Sequence, residues 1–256
     1  MTNELQVWKP SPFDGTDLLP VDLVGQEVDT TGRENIEASD YILPSIKLLQ
    51  GMSEECNSED NPEARPGRLY HTGLREVFEA PLRVLLCAHT KSRALFPRDD
   101  EPSHANLERC VSRDAVTGDV YGDCASCEYS QWGENRRPPA CSESQNFTAL
   151  TPWGPAIIRF ARTSFMAARE FISTWAMSPK TLWAHPTQIN VRSDTKNVRG
   201  KNVTFFKLEL KWLVKETVPP SAQAAAKQVN SQISAAHGQG RFKSDDDTTD
   251  FDNVPL

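Results

Sequence analysis

Alternation of apolar and polar positions is clearest toward the end of the chain. From Val203 to Val214, Thr204, Phe206, Leu208, Leu210, Trp212 and Val214 fall on one side. Val203, Phe205, Lys207, Glu209, Lys211 and Leu213 fall on the other. A period of two is the signature of a strand with one buried face. The first set is therefore expected inward, with Phe205, Lys207 and Lys211 outward. His185 to Arg192 reads as the partner strand, and Ser193 to Asn202 as a polar, Gly-containing loop between the two. Upstream, Leu82 to His89 reads as a buried strand introduced by Pro81. Ala156 to Arg162 reads as another, following a Pro-Trp-Gly-Pro turn at 152–155. Over Ser164 to Met177 the period changes. Phe165, Ala168, Phe171, Ile172 and Trp175 recur at helical spacing, Ser164 stands as N-cap and Pro179 marks the end. Tyr41 to Gln50 is the first apolar stretch able to join a core, Arg68 to His71 reads as a short strand, and Ser221 to Ala236 as a weakly amphipathic helix.

These elements predict a mainly β protein with a few helices. Residues 1–39 read as a flexible acidic arm without sustained periodicity. Residues 40–217 form the core, and 218–256 a helix or linker followed by a disordered acidic tail. Within the core, 97–143 is an insertion too poor in aliphatic residues to build a conventional core of its own.

Charge changes the picture. The net charge of −7 argues against a nucleic-acid partner, but its distribution does not. Residues 1–39 hold eight acids and two bases, and residues 216–256 hold six acids and three bases. Residues 144–215 hold 11 bases and three acids. A basic segment between acidic ends is a nucleic-acid footprint with an acidic tail attached; a solvated basic face is the alternative. No apolar run approaches the ~20 residues that span a bilayer, and no secretory signal stands at Met1–Pro10, so the expectation is a cytoplasmic protein with no membrane partner. Thiols stay reduced there.

Four of the six cysteines stand in the insertion, as Cys110-x13-Cys124-x2-Cys127-x13-Cys141. Two thiolates separated by two residues chelate one ion where the backbone turns between them, and the outer pair completes a tetrahedron at about 2.3 Å per zinc–sulfur bond. Turn residues occupy both intervening loops. His104 or His89 are alternatives to one outer cysteine, and two disulfides or a redox Cys-x-x-Cys are alternatives to metal. A closed four-cysteine zinc is structural, and its binding energy folds an insertion that lacks a core. Cys87 reads as a buried small hydrophobe and Cys56 as a loop thiol.

Sequence-tolerant binding of a single strand needs cations for phosphates and flat side chains for bases. The candidates are Trp153, Arg159, Arg162, Trp183, Arg192, Lys196, Arg199, Lys201, Phe205, Lys207 and Lys211. Phe160, Phe171, Trp175, Phe206 and Trp212 fall on apolar faces and are assigned to the core. The deaminase signature, a Gly-rich phosphate loop and His-Glu-x-x-His are all missing, so no catalytic residue is assigned. The tip, comprising Asp245, Asp246, Asp247, Asp250, Phe251, Asp252, Val254, Pro255 and Leu256, joins acids to a small apolar end suited to capture by a partner.

That tip resembles the acidic, Pro-containing tails with which bacterial single-stranded DNA-binding proteins recruit replication and repair enzymes. A zinc-stapled segment between core strands, followed by an acidic C-terminus, resembles the T-even phage single-stranded DNA-binding proteins. Their zinc ligands include His, so four cysteines would be a departure. The order from Leu-Pro-x-Ile-Lys-Leu-Leu-Gln through the cysteine block with Trp132 to the final sheet is similar to phage proteins of that class. The resemblance implies an OB-fold-like barrel carrying the zinc-binding insertion. The helix at 164–177 would then be the one such barrels place between strands. It also implies a protein that coats single-stranded DNA in phage replication, recombination or repair and recruits replication or recombination proteins by its tail. A homo-oligomer is compatible with this. A strand-annealing or recombination-mediator protein, or less readily a zinc-dependent nucleic-acid enzyme, is the alternative.

Overall fold

The computed structural model describes residues 42–58, 61–97, 107–134, 138–198 and 200–238. The acidic arm, Arg199 and the tail from residue 239 lie outside the described residues, as does His104. Four short elements come first: β1 (Ser45–Leu48), α1 (Glu54–Asn57), β2 (Leu69–His71) and β3 (Glu76–Phe78). The long strand β4 (Leu82–Leu95) leads into the cysteine-bearing insertion, with β5 (Cys110–Ser112), β6 (Thr117–Gly118) and β7 (Gly122–Asp123). Then follow β8 (Ser142–Thr151), β9 (Gly154–Ala161), α2 (Phe165–Ala176), β10 (Thr187–Val198), β11 (Lys201–Trp212) and α3 (Pro220–Gly238). No helix among the described residues is long and apolar enough to cross a membrane.

One sheet runs in the order β11-β10-β4-β8-β9-β1-β2-β3, with β5 also on β4. Its pairs are antiparallel except β1 with β9, where Ile46 lies against Ile158. The sheet is curled into a half-barrel. Its inner face carries Ile46, Leu69, Leu82, Val84, Leu86, Phe147, Ile158, Phe160, Ile189 and Leu208, all nearly inaccessible. α2 plugs this interior with Ala168 and Phe171, as the helical spacing predicts, and Ile172 and Trp175 pack beside them. The ring of Phe147 meets Phe160 and Phe171 edge-on at 5.6 and 5.7 Å. A second, smaller cluster lies on the outer face, where Ala222 and Ala226 of α3 cover Leu85, Cys87 and Leu150. Two clusters on opposite faces of β4 explain its unbroken apolar run: both faces are covered there.

Two expectations are corrected. Ser193 to Asn202 is not a loop. β10 and β11 remain in register from Thr187↔Trp212 to Val198↔Lys201, and the turn contains Gly200 at φ +81. Beyond Ile189, β10 leaves β4; Val191 and Leu208 still pack on the core, and from about Asp194 and Phe205 outward the two strands project as a two-stranded arm. An arm without a core to cover has no hydrophobic alternation to announce it. Ser164 is not a side-chain N-cap, because its own backbone is helical and a 3-10 turn, Arg162–Ser164, precedes α2. Its hydroxyl instead accepts from the backbone N of Leu208 at 2.9 Å, satisfying a donor on the edge of β11. The alternation of β11 holds where the core is, with Leu208 buried, and fades at both ends, where Thr204 and Val214 are exposed.

Candidate nucleic-acid interface and cysteine cluster

Residues facing each other across an antiparallel pair share a face. Lys196 opposes Val203, Asp194 opposes Phe205, Arg192 opposes Lys207, Asn190 opposes Glu209 and Gln188 opposes Lys211. Alternation therefore puts Arg192, Lys196, Lys201, Phe205, Lys207 and Lys211 together on one face of the arm. Five cations share that face with two acids, and the acids are engaged. Lys207 Nζ lies 3.3 Å from Asp194, and Arg192 lies 3.5 Å from Glu209. The backbone N–H of Thr195 and the Lys207 ammonium hold the Asp194 carboxyl below its ordinary range. Phe205 is half-buried between Lys207 and Val203 on this face.

The other sequence candidates lie elsewhere. Arg159 is half-buried on the outer face of β9, opposite Asn146. Arg162 is exposed and opens the 3-10 turn at φ +48. Trp153, 39% exposed at the β8–β9 turn, packs its ring on Phe78 (4.7 Å) and His71 (5.6 Å). Trp183 is half-buried and touches both apolar clusters. Arg159 is on the outer side of the sheet, as the arm's cations are, but β8 and β4 lie between them, whereas Trp153 is propped on β2 and β3.

The insertion is held together by polar side chains on its own backbone. The Asp114 carboxylate accepts from the N–H groups of Val116 (2.8 Å) and Thr117 (2.9 Å), and Asp119 accepts from Val111 N–H at 2.7 Å. Ser130 Oγ lies 2.6 and 2.8 Å from the carbonyl oxygens of Cys124 and Cys127. β4 anchors both ends, since Leu95 pairs with Cys110 of β5 while Ala94 pairs with Ser142 of β8. Cys110 and Cys141, 31 positions apart, thereby reach one level of the sheet from either side of β4.

All six cysteines are free thiols. Cys110, Cys124, Cys127 and Cys141 line one small cavity of about 10 Å³ with Arg93, Tyr121 and Tyr129. That is about the room of one small sphere. Among the described residues no three His, Cys, Asp or Glu side chains stand in a metal-coordinating arrangement. The two observations concern different distances. Bordering a cavity asks only for proximity, whereas coordination needs every sulfur about 2.3 Å from one point. Burial pushes the Cys141 thiol up to about 11; Arg93 opposes this and the three neighbouring thiols add to it. His89 is not near the cluster; its Nε2 is 2.7 Å from Gln145 Oε1.

A model of a protein family described as Pam3 phage gp34-like matches residues 13–239. The chain belongs to that family. The match spans both the arm and the cysteine cluster and ends before the acidic tip. A phage protein is the coarse identity this gives. Comparison with curated proteins found no match, nor did comparison with solved structures.

Sequence reasoning missed the pairing of Asp194 and Glu209 with the cations, because register decides it. It also missed that Trp175 and Trp183 border a common cleft with His89 and Lys91. Nothing in the sequence links those four positions.

Proposed function

We propose that this family member is a sequence-tolerant single-stranded DNA-binding protein of a phage, built on an OB-type barrel. The observation that carries the reading is the connectivity. β4, β8 and β9 form a meander, α2 follows, and the β10–β11 hairpin returns to pair with β4. An OB-fold is a five-stranded, partly open Greek-key barrel that binds oligonucleotides on its second and third strands and on the connections 1–2 and 4–5. In this reading the cysteine insertion is connection 1–2 and the basic arm carries connection 4–5. β9, with Arg159, is the third strand.

The arm's cations neutralise phosphates and Phe205 stacks on a base, contributing roughly 1–3 kcal/mol. Such a surface tolerates any sequence, because every nucleotide offers a phosphate and a flat face. Cys110, Cys124, Cys127 and Cys141 hold a structural zinc, which fixes the insertion beside β4. The tail tip, Asp245–Leu256, recruits replication or recombination proteins. No catalytic role is assigned to any residue.

The test is a titration of labelled oligo-dT and a matched duplex over a salt series. Preference for the single strand, with affinity falling steeply as salt rises, is expected. Preference for the duplex sinks the reading.

A further inference from the structure

Past Val84, β10 no longer accompanies β4, and Trp183 and α3 cover Leu85 and Cys87 instead. Farther along, the cover is incomplete. His89 and Thr90 are half-buried and Lys91 is exposed, and beside them lies a cleft of about 640 Å³. That is the size of a small-ligand site. Four elements border it: β4 with His89 and Lys91, the end of α2 with Trp175, α3 with Asn230 and Ser234, and the cysteine-bearing insertion with Asp114. Trp183 and the buried Leu182 complete the wall.

Both indoles are held in place. Trp175 Nε1–H donates to the carbonyl oxygen of Lys180 at 3.1 Å, which fixes the ring by its edge. Trp183 is fixed by packing on both apolar clusters. Flat side chains held in this way are the platform on which an unstacked base is received.

The polar groups are equally well placed. Asp114 Oδ1 accepts from Ser112 Oγ (2.9 Å) and from the N–H groups of Val116 (2.8 Å) and Thr117 (2.9 Å). Three donors on one oxygen orient the carboxylate and leave Oδ2 as the acceptor for a ligand. The Gln145 amide donates through Nε2 to Glu143 at 3.0 Å, so its Oε1 accepts from His89 Nε2 at 2.7 Å. The neutral imidazole therefore carries its proton on Nε2, and Nδ1 is a second acceptor. Burial, reinforced by Lys91, holds the His89 pKa below its ordinary value, so the ring is neutral near pH 7. Lys91 and Asp114 then give the described walls one charge of each sign, which does not suit a phosphate. A flat, uncharged occupant that offers an N–H group suits them. A nucleobase with an exocyclic amine has all three properties, and thymine lacks the amine.

We infer that this cleft takes one unpaired, amine-bearing base of the bound strand, placed against Trp175 and Trp183, with its exocyclic N–H donating to Asp114 Oδ2. The base is recognised by its edge and not by its phosphate. The cleft thus adds a preference at a single nucleotide to an interface that otherwise tolerates any sequence. This rests on the reading of the protein as a single-stranded DNA-binding protein.

The test compares labelled oligo-dC with oligo-dT, two pyrimidine strands that differ by the cytosine amine against the thymine O4 and methyl group. Fluorescence anisotropy with the full chain is expected to give about fivefold tighter binding of oligo-dC. Asp114→Asn keeps the oxygen that the three donors hold and turns an amide N–H toward the cleft, so it should reverse the order in favour of thymine O4. Ser234→Trp, at an exposed position of α3, fills the cleft without touching the core. It should abolish the preference and leave oligo-dT binding unchanged. Equal affinity of the two strands for the unaltered protein overturns the inference, as does a preference for oligo-dC that survives either substitution. Salt-dependent binding of both strands alike removes only the base-binding cleft, whereas binding of neither strand removes the underlying reading with it.

Discussion

Gln50 closes the curled sheet onto Phe206. The side-chain amide of Gln50, two residues beyond β1, donates to the carbonyl oxygen of Phe206 (2.8 Å) and accepts from its N–H (3.0 Å). One amide thereby imitates a neighbouring strand for the exposed edge of β11. Thr163 and Ser164 add further hydrogen bonds to Phe206 and Leu208. Gly67 adopts φ +87 against the Phe206 ring, and a Cβ there would come within 2.6 Å of it.

Gln50→Leu is expected to strand the N–H of Phe206 and leave its carbonyl to the Thr163 hydroxyl alone, at a cost of about 1–3 kcal/mol, read as a lower midpoint in urea unfolding. Gly67→Ala meets both a left-handed backbone and the ring, and should lower stability at least as far. An unchanged midpoint in Gln50→Leu would show that the closure contributes nothing.

The cysteine cluster makes two glycines distinguishable. A Cβ on Gly118 would stand 2.6 Å from Cys110 Sγ, whereas a Cβ on Gly122 meets nothing within 4 Å and is opposed only by its φ of +70. Gly118→Ala is expected to lose bound zinc, measured by elemental analysis of freshly purified protein. Gly122→Ala should keep it, with a stability loss of about 1 kcal/mol. Zinc retained equally by both would separate the ion from the four cysteines.

The paired cations of the arm give a test with an increase in affinity. Asp194→Asn releases Lys207, and Glu209→Gln releases Arg192. Each is expected to strengthen oligo-dT binding a few-fold and steepen its salt dependence, while Lys207→Glu weakens it. Fluorescence anisotropy over a salt series reads all three. Weaker binding in both neutralised variants would count against the arm as the interface.

Cys87, wholly buried under α3, has its thiol pushed up to about 12 by burial, opposed by a backbone hydrogen bond from Leu150. Thiol reagents attack the thiolate. At pH 7.5, mass-spectrometric mapping should find Cys87 unmodified in the folded chain and modified on adding denaturant. Prompt labelling in the native state would contradict the packing of α3 on β4.

Burial, reinforced by Lys91, lowers the His89 pKa from its ordinary value near 6.5, against a raising contribution from Gln145. The unfolded chain therefore takes up its proton at a higher pH than the folded one. Stability contributed by neutral His89 is fully present above about pH 6.5 and is lost as pH falls through the lower folded value. His89→Gln is expected to flatten the fall of thermal midpoint between about pH 6.5 and 5, measured by calorimetry. An identical slope in both proteins would assign that fall to other groups.

Local periodicity identified the elements that bury a face. α2, β9 and the inward residues of β11 were legible because burying one side imposes a repeat of 3.6 or 2 on the residues themselves, whereas β8 was not read from the sequence. The outer projection of Phe205, Lys207 and Lys211 followed from the same rule. The distal arm was not legible, because a ribbon exposed on both faces carries no such constraint. The short strands β3, β5, β6 and β7 were also not legible. They are fixed by pairing and by Asp and Ser side chains on the backbone, without a hydrophobic pattern.

The sequence by itself determined the mainly β class, the inner face of its final strand, the spacing of the four clustered cysteines and the basic segment between acidic ends. These depend on residue type and near neighbours. Only the tertiary structure decided that Cys110 and Cys141 meet across β4, that Asp194 and Glu209 occupy two of the arm's cations, and that Gln50 closes the sheet on Phe206. Each of these depends on strand register, which joins positions tens to more than 150 residues apart and is set by the packing of the whole sheet.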